Sequence, residues 1–166
     1  SLPVMYWIYG GGFVDGSNWE LGLYDGQHFC EKHHVILVAV NYRLGNLGFM
    51  ALDSLKEEDL HGSVGNYGMQ DQNLGLQWVR ANIHAFGGDP GRVTIFGESA
   101  GGFSVMWHIA SPSSSGLFHG AIMESGTSQI SFFFQQYEEA VKYGKDTAAI
   151  LNCPSSLGAA GQLKCL

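Results

Sequence analysis

Charge is what this sequence has least of. Only 14% of its 166 residues are Asp, Glu, Lys or Arg, against roughly 25% in an ordinary soluble domain. So few charges point to surfaces that lie against more protein. Basic residues are scarcer still. Eight Lys and Arg stand against 15 Asp and Glu, a net charge of −7, and no basic run occurs. Such a chain has no electrostatic footprint for nucleic acid. It has no apolar stretch of the ~20 residues that span a bilayer, so no transmembrane segment is expected in this portion. The opening Ser-Leu-Pro-Val-Met-Tyr-Trp-Ile-Tyr lacks the basic start of a signal peptide and reads as a strand. A sequence that begins and ends this abruptly reads as a fragment. There is no Asn-x-Ser/Thr sequon, so glycosylation gives no clue to compartment.

What is abundant is apolar surface and glycine. Hydrophobic residues make up 45% of the chain and aromatics 13%, enough for a substantial core. The 24 glycines are about twice the usual share and cluster at turns rather than in repeats. Val4 to Tyr9 reads as a buried strand that halts at Gly10-Gly11-Gly12. Leu23 to His34 reads weakly as a helix. Val35 to Val40 is apolar throughout and largely β-branched, the pattern of a central strand covered on both faces. Residues 41–69 read as a long irregular loop, a kind of segment that is often functional. Asp71 to His84 is helix-like, with Leu74, Trp78 and Ala81 on one face. After the turn residues 87–91 come a strand over Arg92 to Phe96, a helix over Ala100 to Ala110, a strand over His119 to Met123 and a helix over Tyr137 to Leu151. The βαβαβαβα order predicts an α/β fold: a mostly parallel sheet with helices on both faces. No linker appears, so residues 1–166 are expected to form one partial domain, the central portion of a larger one. Reactive groups in such sheets gather at the carboxyl ends of the strands.

Two glycine motifs fall there. Gly97-Glu98-Ser99-Ala100-Gly101 follows a predicted strand and opens a predicted helix, the context of a nucleophile elbow. The tight turn requires small residues two before and two after the serine. The helix start behind it offers unpaired N–H groups and the positive end of a dipole, so the Ala100 amide is placed to meet a developing oxyanion. Gly10-Gly11-Gly12 ends the first strand. Alone it is consistent with a flexible turn, but hydrolases draw further oxyanion donors from a loop at such a place. Each donor there contributes roughly 3 to 4 kcal/mol to the tetrahedral intermediate.

With these motifs in view, the chain resembles the type-B carboxylesterases, the α/β-hydrolase group that includes the cholinesterases. The matching segments are Tyr6 to Phe13, Asn41 to Gly45, Gly65-Asn66, Asp71-Gln72, Leu76 to Val79, Phe86 to Pro90, Val93 to Gly102 and Glu124 to Gly126. The resemblance implies that Ser99 is the nucleophile and that Gly11, Gly12 and Ala100 supply the oxyanion hole. It places Glu98 beside the serine, where it shapes the local field, and Ser125 where the family supports the triad acid. Phe132 falls at the acyl pocket. Arg43 and Asp71 fall where the family forms a structural ion pair, which costs about 3 to 5 kcal/mol to break from one side. It also implies a disulfide between Cys153 and Cys165, worth roughly 3 kcal/mol by the chain-entropy model; two unpaired thiols are the alternative. Cys30 is left over and expected to be buried. A disulfide implies an oxidising compartment, hence a secreted or endoplasmic-reticulum location. Val14 stands where cholinesterases carry an aromatic, which favours a general carboxylic ester over a choline ester.

The triad order of this fold is Ser, then acid, then His. After Ser99 only His108 and His119 remain. His108 lies about 13 Å along the elbow helix, and His119 starts a strand at the end away from the site. Both are read as structural, and Glu138, Glu139 and Asp146 as a solvated helix face. By resemblance the acid and histidine lie beyond residue 166, so the fragment is expected to be inactive alone. His28, Cys30, His33 and His34 suggest a metal cluster, but no second ligand pair accompanies them; no metal and no cofactor are expected. The expected ligand is a small carboxylic ester, and the sequence sets no oligomeric state. The competing expectation is a binding or adhesion scaffold that keeps the fold and loses catalysis. The intact Ser99, Glu98 and glycine loop argue against it.

Overall fold

The computed structural model describes residues 1–126 and 135–166. The described part of the chain forms two units, one from Ser1–Tyr42 and the described part of Met69–Gln129, the other from Arg43–Gly68 and the described part of Ile130–Leu166.

The first unit is built on a four-stranded parallel sheet of β1 (Leu2–Ile8), β2 (Ile36–Ala39), β3 (Gly88–Glu98) and β4 (Gly120–Glu124). The spatial order is β2-β1-β3-β4. After β1 the chain moves one way, to β2. It then crosses back over β1 to β3 and moves the other way, to β4. The direction therefore reverses between β1 and β3, and the carboxyl ends of those two strands flank the crevice where open α/β sheets bind ligands.

Each face of the sheet has its own cover. Val4, Tyr6, Ile8, Val93 and Ile95 are fully buried on one face, each contributing about 1.5 to 3 kcal/mol relative to exposure. Helices α4 (Tyr67–Asn82) and α5 (Ala100–Ala110) lie against this face. A Cβ at Gly75 would strike the Tyr6 hydroxyl, and one at Gly101 would strike the Ile8 carbonyl. On the opposite face Trp7 packs its ring 4.8 Å from Phe96 and 5.1 Å from Tyr24, beside α1 (Gln27–His33). The two tyrosines beyond β1 and β2 clasp the strand ends together. Tyr9 and Tyr42 stack at 4.5 Å, and the Tyr42 hydroxyl donates to the Tyr9 carbonyl at 2.8 Å. Burial raises the pKa of both phenols.

Several elements differ from the sequence expectation. The strand Ile36–Ala39 is half-buried and outermost among the described strands, not central. Strand β3 begins at Gly88 rather than Arg92, because Gly88 pairs with Leu2 across a register shift. The helix Tyr67–Asn82 turns Gln72, Asn73, Leu76 and Val79 inward, whereas Leu74 and Trp78 are 64% and 45% exposed. Residues 41–69 are not one irregular loop, since they carry the short helices α2 (Gly45–Phe49) and α3 (Asp53–Glu58).

The second unit holds α2 and α3 with α6 (Tyr137–Ile150) and α7 (Gly158–Cys165). Gly144 lets α6 close onto the Ala51 carbonyl, where a Cβ would collide. The Ser54 hydroxyl donates to Gln162 Oε1 at 2.8 Å, and Gln162 Nε2 donates to the Cys153 carbonyl at 2.9 Å. Cys153 and Cys165 are joined in the expected disulfide. Cys30, expected to be buried, is only partly covered. No described helix is long and apolar enough to cross a membrane.

Candidate active site

Register alone brings the two glycine motifs together. Ile8 of β1 pairs with Gly97 of β3. Two residues further along each strand stand Gly10 and Ser99. A Cβ on Gly10 would lie 3.1 Å from the Ser99 Cβ and 2.8 Å from the Glu98 carbonyl. Only glycine lets the loop approach the serine this closely.

Ser99 itself is held in an unusual conformation, with φ 54° and ψ −119° between β3 and α5. A left-handed φ is uncommon for a residue with a side chain, and such strain persists only where the surroundings enforce it. Here the surroundings are specific. The Ser99 N–H donates to the Glu124 carbonyl at 2.9 Å, and the Phe103 N–H donates to the Ser99 carbonyl at 3.0 Å. A Cβ at Gly97 would come within 2.6 Å of the Gly101 and Ile8 carbonyl oxygens. The bend is therefore wedged between β1, β4 and the first turn of α5. Ser99 stays partly exposed while Ala100 is fully buried.

The glycine loop is a folded turn. The Gly11 carbonyl accepts from the Val14 and Asp15 amides at 3.0 and 3.2 Å. Gly11 and Gly12 both have positive φ, 108° and 61°, and both are exposed. Val14 is 71% exposed. Glu98 is exposed at the end of β3, and its register partner is Glu124. Its charge, with that of Glu20, adds to burial in raising the pKa of Tyr24. Ser125 follows β4 with φ 52°, and a Cβ on the adjacent Gly126 would strike the Ser99 carbonyl. The structure thus gathers Gly10, Ser99, Glu98 and the Ser125–Gly126 turn at one end of the sheet. The Arg43 guanidinium lies 5.4 Å from the Tyr67 ring centre, and Asp71 lies on α4. Phe132, the expected acyl-pocket residue, lies outside the described residues.

Neither histidine after the elbow faces Ser99. His108 is buried, and its Nδ1 and Nε2 are taken by Ser114 Oγ at 2.8 Å and Gln72 Oε1 at 3.1 Å. Burial lowers its pKa to about 4. His119 precedes β4, at the amino end of the strand, and its Nδ1 accepts from the Val93 amide at 3.3 Å. Glu138, Glu139 and Asp146 lie exposed on α6. Among the described residues no three His, Cys, Asp or Glu side chains come together as a metal site, and on α1 the His33 ring packs against Phe29 at 5.1 Å. What sequence reasoning missed is the polar set around His108. Gln72, Asn73, Ser104 and Ser114 are all buried. The available signal was Ser104, one helical turn past Ala100 and one turn before His108, the two polar side chains of an otherwise apolar helix.

The carboxylesterase family profile matches residues 1–166. The chain is 44% identical over 153 residues to an acetylcholinesterase of Danio rerio, covering 92% of this chain and 23% of that protein. It is 45% identical over 153 residues to cholinesterase 1 of Branchiostoma lanceolatum, covering 92% and 41%. A solved PNB esterase structure superposes with a TM-score of 0.86 at 44% identity, over 99% of this chain and 32% of that one. The chain therefore spans less than half the length of these relatives, and its parallel sheet and helices are those of an α/β-hydrolase. With the serine elbow, the adjoining glycine loop and these likenesses together, the chain belongs to the carboxylesterase family.

Proposed function

We propose that this chain supplies the nucleophile and the oxyanion-binding backbone of a carboxylic ester hydrolase. The observation that carries the reading is the wedged, positive-φ Ser99 with Gly10 of the glycine loop against it. Ser99 Oγ attacks the ester carbonyl, the alcohol leaves, and water clears the acyl-enzyme. The amides of Gly11, Gly12 and Ala100 stabilise the tetrahedral oxyanion. Glu98 adds negative potential beside the serine, and Ser125 supports the triad acid.

The base and the acid come from residues beyond 166, so the 166-residue chain alone lacks triad catalysis. Val14 in place of an aromatic favours general carboxylic esters over choline esters. The Cys153–Cys165 disulfide supports a secreted or endoplasmic-reticulum location. Mixing the full-length protein with p-nitrophenyl butyrate tests the reading. A burst of p-nitrophenol followed by steady turnover, both abolished by Ser99→Ala, is the expected result. A folded full-length protein with neither burst nor turnover would make it a non-catalytic scaffold.

A further inference from the structure

The polar groups buried between α4 and α5 form one continuous hydrogen-bonded chain, and its direction can be worked out. It starts at the Ser113 carbonyl, which can only accept. Asn73 Nδ2 donates to that carbonyl at 3.2 Å and to Ser114 Oγ at 2.9 Å. Gln72 Oε1, which faces His108 Nε2, can only accept, so the Ser114 hydroxyl turns its hydrogen to a bare His108 Nδ1, 2.8 Å away. Nδ1 is then the acceptor of a neutral imidazole, and the ring proton sits on Nε2. That proton meets Gln72 Oε1 at 3.1 Å. The other end of the same amide, Gln72 Nε2, donates to Ser104 Oγ at 3.1 Å. Ser104 Oγ donates in turn to the Ala100 carbonyl at 2.9 Å. A second backbone carbonyl closes the chain, so every role from Ser113 to Ala100 is consistent with one direction.

The terminus matters because Ala100 directly follows Ser99 and opens the helix behind it. The remaining members are held in turn. Gln77 Nε2 donates to Asn73 Oδ1 at 2.6 Å, and the Tyr6 hydroxyl donates to the Gln72 carbonyl at 2.9 Å, tying α4 to β1. Gln72, Ser104, His108 and Ser114 are at most 1% exposed, so water does not compete for these groups.

We propose that Gln72, Ser104 and His108 are positioning residues: their one-way hydrogen-bond chain, ending on the Ala100 carbonyl, fixes the first turn of the nucleophile helix and with it the aim of Ser99 and the Ala100 amide. The inference rests on the esterase reading of Ser99. Local geometry of this kind governs turnover rather than substrate affinity, because a small misplacement of reacting groups acts on the transition state. His108 touches no substrate; it acts through Gln72 and Ser104.

The test uses the full-length protein with three variants and one spectrum. His108→Gln keeps a side-chain N–H that can reach Gln72 Oε1, and is expected to hold kcat within about threefold. His108→Leu removes that donor, and Ser104→Ala removes the hydroxyl on Ala100. Each is expected to lower kcat by about tenfold or more with KM nearly unchanged. The 15N spectrum of the histidine rings in the unmodified protein is expected to show His108 protonated on Nε2 and bare on Nδ1 at neutral pH.

Folded His108→Leu and Ser104→Ala proteins with unchanged kcat would overturn the proposal. So would a His108 ring protonated on Nδ1, whether or not the variants fold. A wild-type protein that turns over no ester but shows the Nε2–H ring would instead overturn the esterase reading and leave the chain of bonds standing.

Discussion

Replacing Ser99 by glycine should stabilise the protein while abolishing catalysis, and the sign of the effect tests whether the elbow is truly strained. Ser99 sits at φ 54° and ψ −119°, a region costing a residue with a Cβ about 1 to 3 kcal/mol. Glycine removes that cost. Against it stands the extra freedom of a glycine in the unfolded chain, about 0.4 to 1 kcal/mol. Strain relief is the larger effect, so Ser99→Gly should exceed Ser99→Ala in stability by about 0.5 to 2 kcal/mol. Alanine is the right reference because it also lacks the hydroxyl but keeps the Cβ that causes the strain. The assay is urea unfolding of the two inactive full-length variants side by side, read as a shift in midpoint at constant slope. In ordinary backbone the order is reversed, glycine being the weaker residue. A Ser99→Gly protein less stable than Ser99→Ala would refute the reasoning.

Three further outcomes follow from the same structure. His108 is buried with its pKa lowered to about 4, below the ~6.5 of an unfolded histidine. Its contribution is thus intact above pH 6.5 and is lost as pH falls towards 4, by about 3 kcal/mol in all; unfolding free energies from pH 7 to pH 4 should fall more steeply for the wild type than for His108→Gln. Cys153→Ser should cost roughly 3 kcal/mol, measured by thermal unfolding and matched by wild type in reducing agent. Gly101→Ala would drive a Cβ into the Ile8 carbonyl, so a loss of Ser99 reactivity beyond that of an exposed control such as Gly116→Ser is expected, measured by the rate of covalent labelling.

The elbow end of the sheet was legible in the sequence because its constraints are local. Gly97, Ser99 and Gly101 are fixed by one turn, and the helix Ala100–Ala110 starts and stops where its residues say it should. The disulfide was legible through family resemblance. Other features depend on partners distant in sequence. The turn-forming residues 87–91 conceal the start of β3, since only pairing with Leu2 makes Gly88 part of a strand. The apolar run of β2 looks like a sheet centre, but hydropathy does not encode strand order. On α4 the amphipathic reading failed because Gln72 and Asn73 count as surface residues until Ser104 and Ser114 are seen to accept from their amides and His108 to donate to the Gln72 amide oxygen.

The most direct test of the account is the site of covalent modification. The full-length protein should be treated with a fluorophosphonate, digested, and its peptides weighed. A single stoichiometric adduct is expected on the peptide carrying Ser99, absent from Ser99→Ala. An adduct on a different serine, or none on a folded protein, would contradict it.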